Sequence, residues 1–200
     1  MFLRREGTSQ PLSRSRLVLV TGGARSGKSR FAQDLAEKIS CNRRLFVATA
    51  VACDPEMKKK IARHRRQRLR LAEAAPRPSG QRNGHWKTLE EPLQLPERFP
   101  PAVSSKTVFL FDCMPTFITN HLVAGQTTSK ILQRIHRIVR FFRRSGASAV
   151  LVTNEVGLGV VPDHPLGRKF RDLLGEVNQV MAREADEVHW MVSGIPWRIK

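Results

Sequence analysis

The stretch "LVLVTGGARSGKSRFAQDLAEK", residues 17–38, decides the fold of this chain. It opens with a short run of branched apolar residues that ends at a Gly pair, which is typical of a buried strand. A helix-forming segment follows. Residues 22–29, between the two, match the pattern G-x-x-x-x-G-K-S/T in the strand-then-helix context that this motif requires. The alternative is a glycine-rich turn that merely joins the strand to the helix.

The motif predicts a site for the phosphates of a nucleoside triphosphate. Its glycines let the backbone fold around an anion, so that successive N–H groups and the N-terminal end of the helix point at the phosphate. We expect Lys28 to reach the β- and γ-phosphates and the Ser29 hydroxyl to be a ligand of Mg²⁺. The candidate phosphate-binding residues are Gly22, Gly23, Ala24, Arg25, Ser26, Gly27, Lys28 and Ser29.

Length and composition predict one α/β domain over residues 17–200, because 200 residues with 40% hydrophobic content can enclose a core of ordinary size. No apolar run approaches the length of a membrane span. The three cysteines lack the spacing of a disulfide framework or a metal cluster, which favours a reducing compartment such as the cytoplasm. Residues 1–16 are predicted to be a disordered extension, with an organelle transit peptide as the alternative.

The net charge of +18 is unusual and would ordinarily favour a nucleic acid or another polyanion as partner. The excess lies in residues 58–70 and 134–144. The second stretch has an ordinary explanation, since its arginines fall on the solvated side of an amphipathic helix. Aromatic residues are only 6% and Tyr is absent, so platforms for stacking bases are few and we expect no nucleic-acid partner. That helix would bury Leu132, Ile135, Val139 and Phe142 and expose Arg134, Arg137, Arg140 and Arg144.

Strand and helix patterns alternate along the chain, which predicts an α/β fold of the P-loop NTPase type: a mostly parallel sheet with helices on both faces. In such sheets ligands gather at the carboxyl ends of the strands. Strands are predicted at 17–21, 45–48, 107–111, 149–153 and 187–192, with a short edge strand within 193–200. Helices are predicted at 28–39, 54–71, 129–144 and 166–184, and mobile surface loops at 72–84 and 94–106.

Two strand ends carry polar residues that suggest chemistry. Asp112 closes an apolar strand, where a P-loop enzyme places the carboxylate that holds the Mg²⁺ hydration shell. Its alternative role is the N-cap of a following helix. Asn154 and Glu155 leave the strand 149–153 for a Gly-containing loop and would face the ligand crevice. Their alternative role is a turn-forming Asn with a solvated Glu.

His64 lies among arginines in "IARHRRQR". A cationic neighbourhood favours the neutral imidazole, which is the nucleophilic form. Physical chemistry alone leaves two roles open for it, a solvent-exposed histidine without a role in the reaction and a catalytic nucleophile, and favours the first.

Five segments in order resemble one family: "VTGGARSGKSRFA", "ARHRRQR", "HWKTLEEP", "TNEVGLGVVPDHPLGRKFRDLLGEVNQ" and "ADEVHWMVSGIPWRIK". They are similar to the bifunctional adenosylcobinamide kinase and adenosylcobinamide-phosphate guanylyltransferase of cobalamin biosynthesis. The resemblance runs from about residue 17 to residue 200. It implies ATP and GTP as substrates together with adenosylcobinamide and its phosphate, and a homo-oligomer, a trimer, as the assembly.

Carried over residue by residue, the resemblance implies that His64 is the nucleophile that becomes covalently guanylylated. It implies acidic nucleotide- or metal-site positions at Glu90 and Asp112. Further nucleotide contacts are implied for Ala48, Thr49, Ala50, Arg65, Arg66, Gln67 and Arg68.

Three features depart from the family pattern, and one of them is the net charge of +18, which exceeds what the chemistry requires. About fifteen residues intervene between the arginines after His64 and the pair His85 and Trp86, where the family has few, so we predict a surface insertion at 69–84. The extension 1–16 has no family counterpart. Two alternative functions remain open, a basic P-loop ATPase that binds nucleic acid and a family member that retains only one of the two activities.

Overall fold

The computed structural model describes residues 15–39, 43–51, 59, 62, 66 and 86–200. Within that part of the chain, no helix is long and apolar enough to cross a membrane. The predicted helix 54–71 is represented by Lys59, Ala62 and Arg66, whose backbone is helical. The insertion 69–84, the loop 72–84 and residues 1–14 of the predicted extension lie outside the described residues.

The strands form one seven-stranded sheet in the order β3-β2-β4-β5-β1-β6-β7. All neighbouring strands pair in parallel except β6 and β7, which pair antiparallel. This confirms the mostly parallel sheet and the short terminal edge strand. The strands are β1 (Leu17–Gly22), β2 (Arg43–Ala48), β3 (Trp86–Glu90), β4 (Thr107–Asp112), β5 (Ser148–Val152), β6 (Glu187–Val192) and β7 (Ile195–Arg198).

Helices cover both faces of the sheet, as predicted. Alternate residues of β1 point to opposite faces, so Val18 and Val20 join one buried cluster and Leu17 and Leu19 join the other. The first cluster is closed by α1 (Lys28–Ile39), and the second by α2 (Met114–Val123), α3 (Thr128–Ser145) and α4 (Pro165–Glu184). Together the parallel sheet, its two helical layers and the phosphate-loop motif between β1 and α1 confirm a fold of the P-loop NTPase type.

Helix α3 has the amphipathic character expected from its sequence. Thr127 caps its start by accepting a hydrogen bond from the Lys130 N–H at 3.4 Å, and Gly146 ends it in the left-handed conformation. Arg134 and Arg137 both pair with Glu97, which explains part of the basic face. The helix buries Ile131, Ile135, Ile138, Val139 and Phe142 and only half buries Leu132, whereas Arg137, Arg140 and Arg144 are exposed.

Three features differ from the sequence prediction. Strand β3 was not predicted, because this edge strand has few apolar residues and no buried one. Helix α2 was not assigned either. The segment 94–106 has no helix or strand, but it is not simply a surface loop, because Leu95 and Phe99 are buried. The centroids of the Phe99 and Phe109 rings are 5.2 Å apart, so this segment closes the core beside the sheet.

The topology creates one ligand crevice at the carboxyl edge of the sheet. Strands β1 and β5 are neighbours, but the chain leaves β1 for α1 on one face and leaves β5 for α4 on the other. Such a point, where successive connections depart to opposite faces, is where open α/β sheets bind ligands. The phosphate-loop motif and the loop that begins at Thr153 both start there.

Candidate functional site

The phosphate loop is held at its start and in its middle. Gly22 has a φ of +147°, and a Cβ at this position would lie 2.5 Å from the carbonyl oxygen of Met191 on β6. Ser26 accepts a hydrogen bond from the Gly194 N–H at 3.1 Å, so the turn between β6 and β7 supports the middle of the loop. The loop is therefore fixed by two neighbouring segments before any phosphate binds.

We expect Gly22→Ala to destabilise the protein by about 1–3 kcal/mol, because the added methyl group meets backbone and the φ is in a range that L side chains rarely adopt. Gly23→Ala is the matched control, since a Cβ at Gly23 has no neighbour within 4 Å. Urea unfolding of both variants without nucleotide measures the difference. Equal free energies of unfolding would contradict the packing argument.

Lys28 is the first residue of α1, and its side chain curls back over the loop. The side chain is only 7% exposed, and Nζ donates hydrogen bonds to the Gly23 carbonyl and, at 3.4 Å, to Ser26 Oγ. Burial lowers the pKa of Lys28, while electrostatic interactions with Cys113 and Asp112 act in the opposite direction. The ammonium group therefore occupies the loop that the motif assigns to phosphate, within the electrostatic reach of Asp112.

Asp112 stands at the carboxyl end of β4, in one row with two other predicted site residues. Ala48 on β2 is in register with Asp112 on one side and with Glu90 on the other. The same row continues through Val152 to Val20, two residues before the phosphate loop. Asp112 is not the N-cap of α2, because that position is Cys113, so the capping alternative is wrong.

The segment that follows β2 has a clear packing role. Thr49 is fully buried, and its hydroxyl donates to the Cys113 carbonyl at 2.9 Å. Asn120 of α2 donates in turn to the Thr49 carbonyl at 2.8 Å. These bonds tie the end of β2 to the end of β4, whereas Ala50 is exposed beside them. Sequence reasoning missed Asn120, because nothing local marks a helical Asn as a brace between two strand ends.

The loop after β5 is tied to the phosphate loop. The Glu155 N–H donates to the Gly22 carbonyl at 3.1 Å, and Asn178 of α4 donates to the Asn154 carbonyl at 2.9 Å. Glu155 Oε1 accepts from the Gly157 N–H at 2.9 Å, the local bond expected if this acid shapes a turn. Asn178 was also missed by sequence reasoning. The available signal was its position in the sequence, because Asn178 follows Val177, which lies on the buried side of the amphipathic helix α4.

The candidate nucleophile lies outside the described residues. The same is true of Arg65, Gln67 and Arg68, and of His85. Arg66 is described and exposed, and its guanidinium donates to the Ala62 carbonyl at 3.4 Å. Among the residues that the structure describes, no three His, Cys, Asp or Glu side chains gather into a metal cluster.

Comparison with known proteins identifies the family. The family model of cobinamide kinase / cobinamide phosphate guanyltransferase matches residues 18–199. The chain is 37% identical to the bifunctional adenosylcobalamin biosynthesis protein CobU of Escherichia coli (strain K12), over 92% of this chain and 99% of that protein. It is 36% identical to the protein of the same name from Salmonella typhimurium, with the same coverage. It is also 36% identical to CobP of Pseudomonas aeruginosa, over 91% of this chain and 96% of that protein. The chain belongs to the cobinamide kinase and cobinamide phosphate guanyltransferase family.

Proposed function

We propose that this protein catalyses two successive reactions, the phosphorylation of adenosylcobinamide with ATP or GTP and the transfer of GMP from GTP to the resulting phosphate. The observation that carries the proposal is the complete phosphate loop, with Lys28 buried in it and within the electrostatic reach of Asp112, in a chain of this bifunctional family. Incubation with adenosylcobinamide, ATP and GTP tests it. The expected products are adenosylcobinamide phosphate and then GDP-adenosylcobinamide, and their absence would overturn the proposal.

In the kinase step, the terminal hydroxyl of the aminopropanol arm attacks the γ-phosphorus, and the bond to the bridging oxygen of the leaving nucleoside diphosphate breaks. The loop N–H groups and Lys28 stabilise the negative charge on the transferred phosphoryl group. The bonds from Gly194 and Glu155 to the loop support this role, because a donor array that is held in place needs no reorganisation during the reaction.

Mg²⁺ fits the residues at this edge of the sheet. Mg²⁺ keeps several waters and takes one or two carboxylates with the substrate phosphates, so one carboxylate and one hydroxyl at this edge are sufficient protein ligands for it. Asp112 and the hydroxyl of Ser29, in the first turn of α1, are the residues that would hold it. When bound, the ion would supply positive charge to the β- and γ-phosphate oxygens.

We expect Asp112→Asn to weaken Mg²⁺ activation, since the variant keeps the shape of the side chain and loses its charge. The Mg²⁺ concentration for half-maximal kinase activity should rise by at least about tenfold, because charged contacts of this kind are worth about 1.5–3 kcal/mol. Titration of kinase activity with Mg²⁺ measures the change. Asp34→Asn, an exposed acid on the solvent side of α1, is the control, and an unchanged Mg²⁺ dependence of Asp112→Asn would remove Asp112 from this role.

In the second reaction, His64 attacks the α-phosphorus of GTP and pyrophosphate leaves. An oxygen of adenosylcobinamide phosphate then attacks the same phosphorus, and the bond to histidine breaks. The covalent histidine divides one difficult exchange into two easier ones. The family resemblance of "ARHRRQR" supports this role, and the arginines that follow His64 would hold the triphosphate.

Two further properties belong to the same proposal. The family resemblance supports a homo-oligomer, a trimer, and the cysteine usage supports the cytoplasm as the compartment.

The net charge of +18 and the exposed Arg140 and Arg144 favour one competing function, a nucleic-acid-binding ATPase. ATP hydrolysis that RNA or DNA stimulates, with a steep dependence on salt, would establish that competitor.

A further inference from the structure

The loop between β5 and α4 exposes apolar side chains beside the phosphate loop. Leu158 is 80% exposed, Val160 is 94% exposed and Val161 is 53% exposed. Single exposed apolar residues are common on protein surfaces and need no explanation. Three of them within four consecutive positions, in the loop that leaves the carboxyl edge of the sheet between β4 and β1, do need one. We call residues 157–161 the acceptor loop.

The bonds on either side of the acceptor loop hold it in place. On the N-terminal side, Asn154 accepts from Asn178, and the side chain of Glu155 accepts from the Gly157 N–H. On the C-terminal side, Arg168 of α4 donates to the Pro162 carbonyl at 3.0 Å. These bonds hold the loop in a conformation that leaves the three side chains exposed, so the side chains do not pack against the core.

The position of the loop relates it to the phosphoryl acceptor. Strand β5 lies between β4, which ends in Asp112, and β1, which leads into the phosphate loop. The chain that leaves β5 consequently emerges between the carboxylate and the loop that carries Lys28. A substrate whose hydroxyl approaches the γ-phosphate between these two strand ends would meet the chain that leads into the acceptor loop.

We propose that Leu158, Val160 and Val161 bind the corrin macrocycle of adenosylcobinamide and so form the acceptor subsite of the kinase reaction. This inference rests on the proposed function. The macrocycle is a broad ring that carries methyl groups among its amide side chains, and burying those methyl groups against leucine and valine is favourable. The nucleotide needs no such surface for its phosphates, which the N–H groups and Lys28 bind.

The test compares Leu158→Ser and Val160→Ser with Ile199→Ser. Ile199 is 55% exposed, but it lies at the amino end of β6, where its N–H bonds to the Val188 carbonyl at the opposite edge of the sheet. Each acceptor-loop variant should raise the KM for adenosylcobinamide about tenfold. The KM for ATP, the thermal stability and the oligomeric state should not change, and the control should match the wild type throughout.

The outcomes separate this inference from the proposed function. If the wild type does not phosphorylate adenosylcobinamide, the proposed function fails. If the wild type is active and the variants retain its KM for adenosylcobinamide, only the inference fails. A raised KM for ATP with an unchanged KM for adenosylcobinamide would assign the loop to the nucleotide. Dissociation of an oligomer without a change in either KM would assign it to a contact between copies of the chain.

Discussion

Lys28→Ala is expected to lower the turnover of the kinase reaction by roughly two to three orders of magnitude while the fold stays intact. The loss corresponds to about 3–4 kcal/mol of barrier, the usual cost of removing one preorganised donor from a site where charge develops. The side chain contacts the loop through the Gly23 carbonyl and Ser26 Oγ. Both bonds are made within the phosphate loop itself, so removal of the side chain should affect chemistry more than stability.

Single-turnover phosphorylation of adenosylcobinamide with γ-labelled ATP measures the effect of Lys28→Ala, and urea unfolding checks the fold. Lys38→Ala is the matched control, because this exposed lysine lies in the last turn of the same helix. Wild-type turnover in Lys28→Ala would remove the residue from the mechanism. Unfolding of the variant alone, with normal turnover per folded molecule, would assign it a purely structural role.

The same lysine predicts how the kinase reaction depends on pH. Burial lowers the pKa of Lys28 below its ordinary value of 10.5, against the opposing effect of Cys113 and Asp112. The charged form is the active one, so kcat/KM for ATP should fall as pH rises through this lowered pKa and before pH 10.5 is reached. Lys28→Arg should shift this alkaline limb upward, because a guanidinium remains charged. If kcat/KM of Lys28→Arg falls at the same pH as that of the wild type, a group other than Lys28 causes the fall.

The phosphate loop and most strands could be predicted from the sequence because their signals are local. A glycine-rich loop between an apolar strand and a helix needs no knowledge of the rest of the chain. Strand β3 could not be predicted in this way, since its five residues are held by pairing with β2 and bury no side chain. Leu95 and Phe99 were likewise assigned to the surface, because a proline-rich segment gives no periodic signal of what it buries.

Strand pairing, which the sequence motifs do not specify, determines how the site residues are arranged. Asp112 was recognised because it ends an apolar run, but its row with Ala48 and Glu90 follows only from the register of three strands. Asn120 and Asn178 brace the site from two helices, by hydrogen bonds to the main chain of residues 71 and 24 positions away. Long-range bonds of this kind leave no pattern in the local sequence.

His64→Ala is expected to abolish the covalent GMP adduct and the formation of GDP-adenosylcobinamide. The first loss follows because no other residue is proposed to attack the α-phosphorus, and the second because the adduct is the GMP donor. Phosphorylation of adenosylcobinamide should largely survive, since the phosphate loop, Lys28 and Asp112 perform that step without a histidine. The two activities of the protein should therefore separate in one variant.

The chemistry of the adduct makes this prediction specific. Nitrogen bonded to phosphorus gives a phosphoramidate, so label from α-labelled GTP should be lost in acid and retained in base. Attack requires the neutral imidazole, so adduct formation should weaken as pH falls below about 6.5, the ordinary pKa of histidine. Label that survives acid would indicate an ester to oxygen and a different nucleophile.

His136→Ala is the matched control for His64→Ala, because His136 is an exposed histidine on α3 and has no proposed role. It should keep the adduct and both products. Added imidazole provides a second check, since a free nucleophile that enters the space left by His64→Ala should restore some transfer of GMP. Persistent labelling of His64→Ala by α-labelled GTP would place the nucleophile elsewhere. His85 would then be the next residue to replace, because it is the next histidine along the chain after His64.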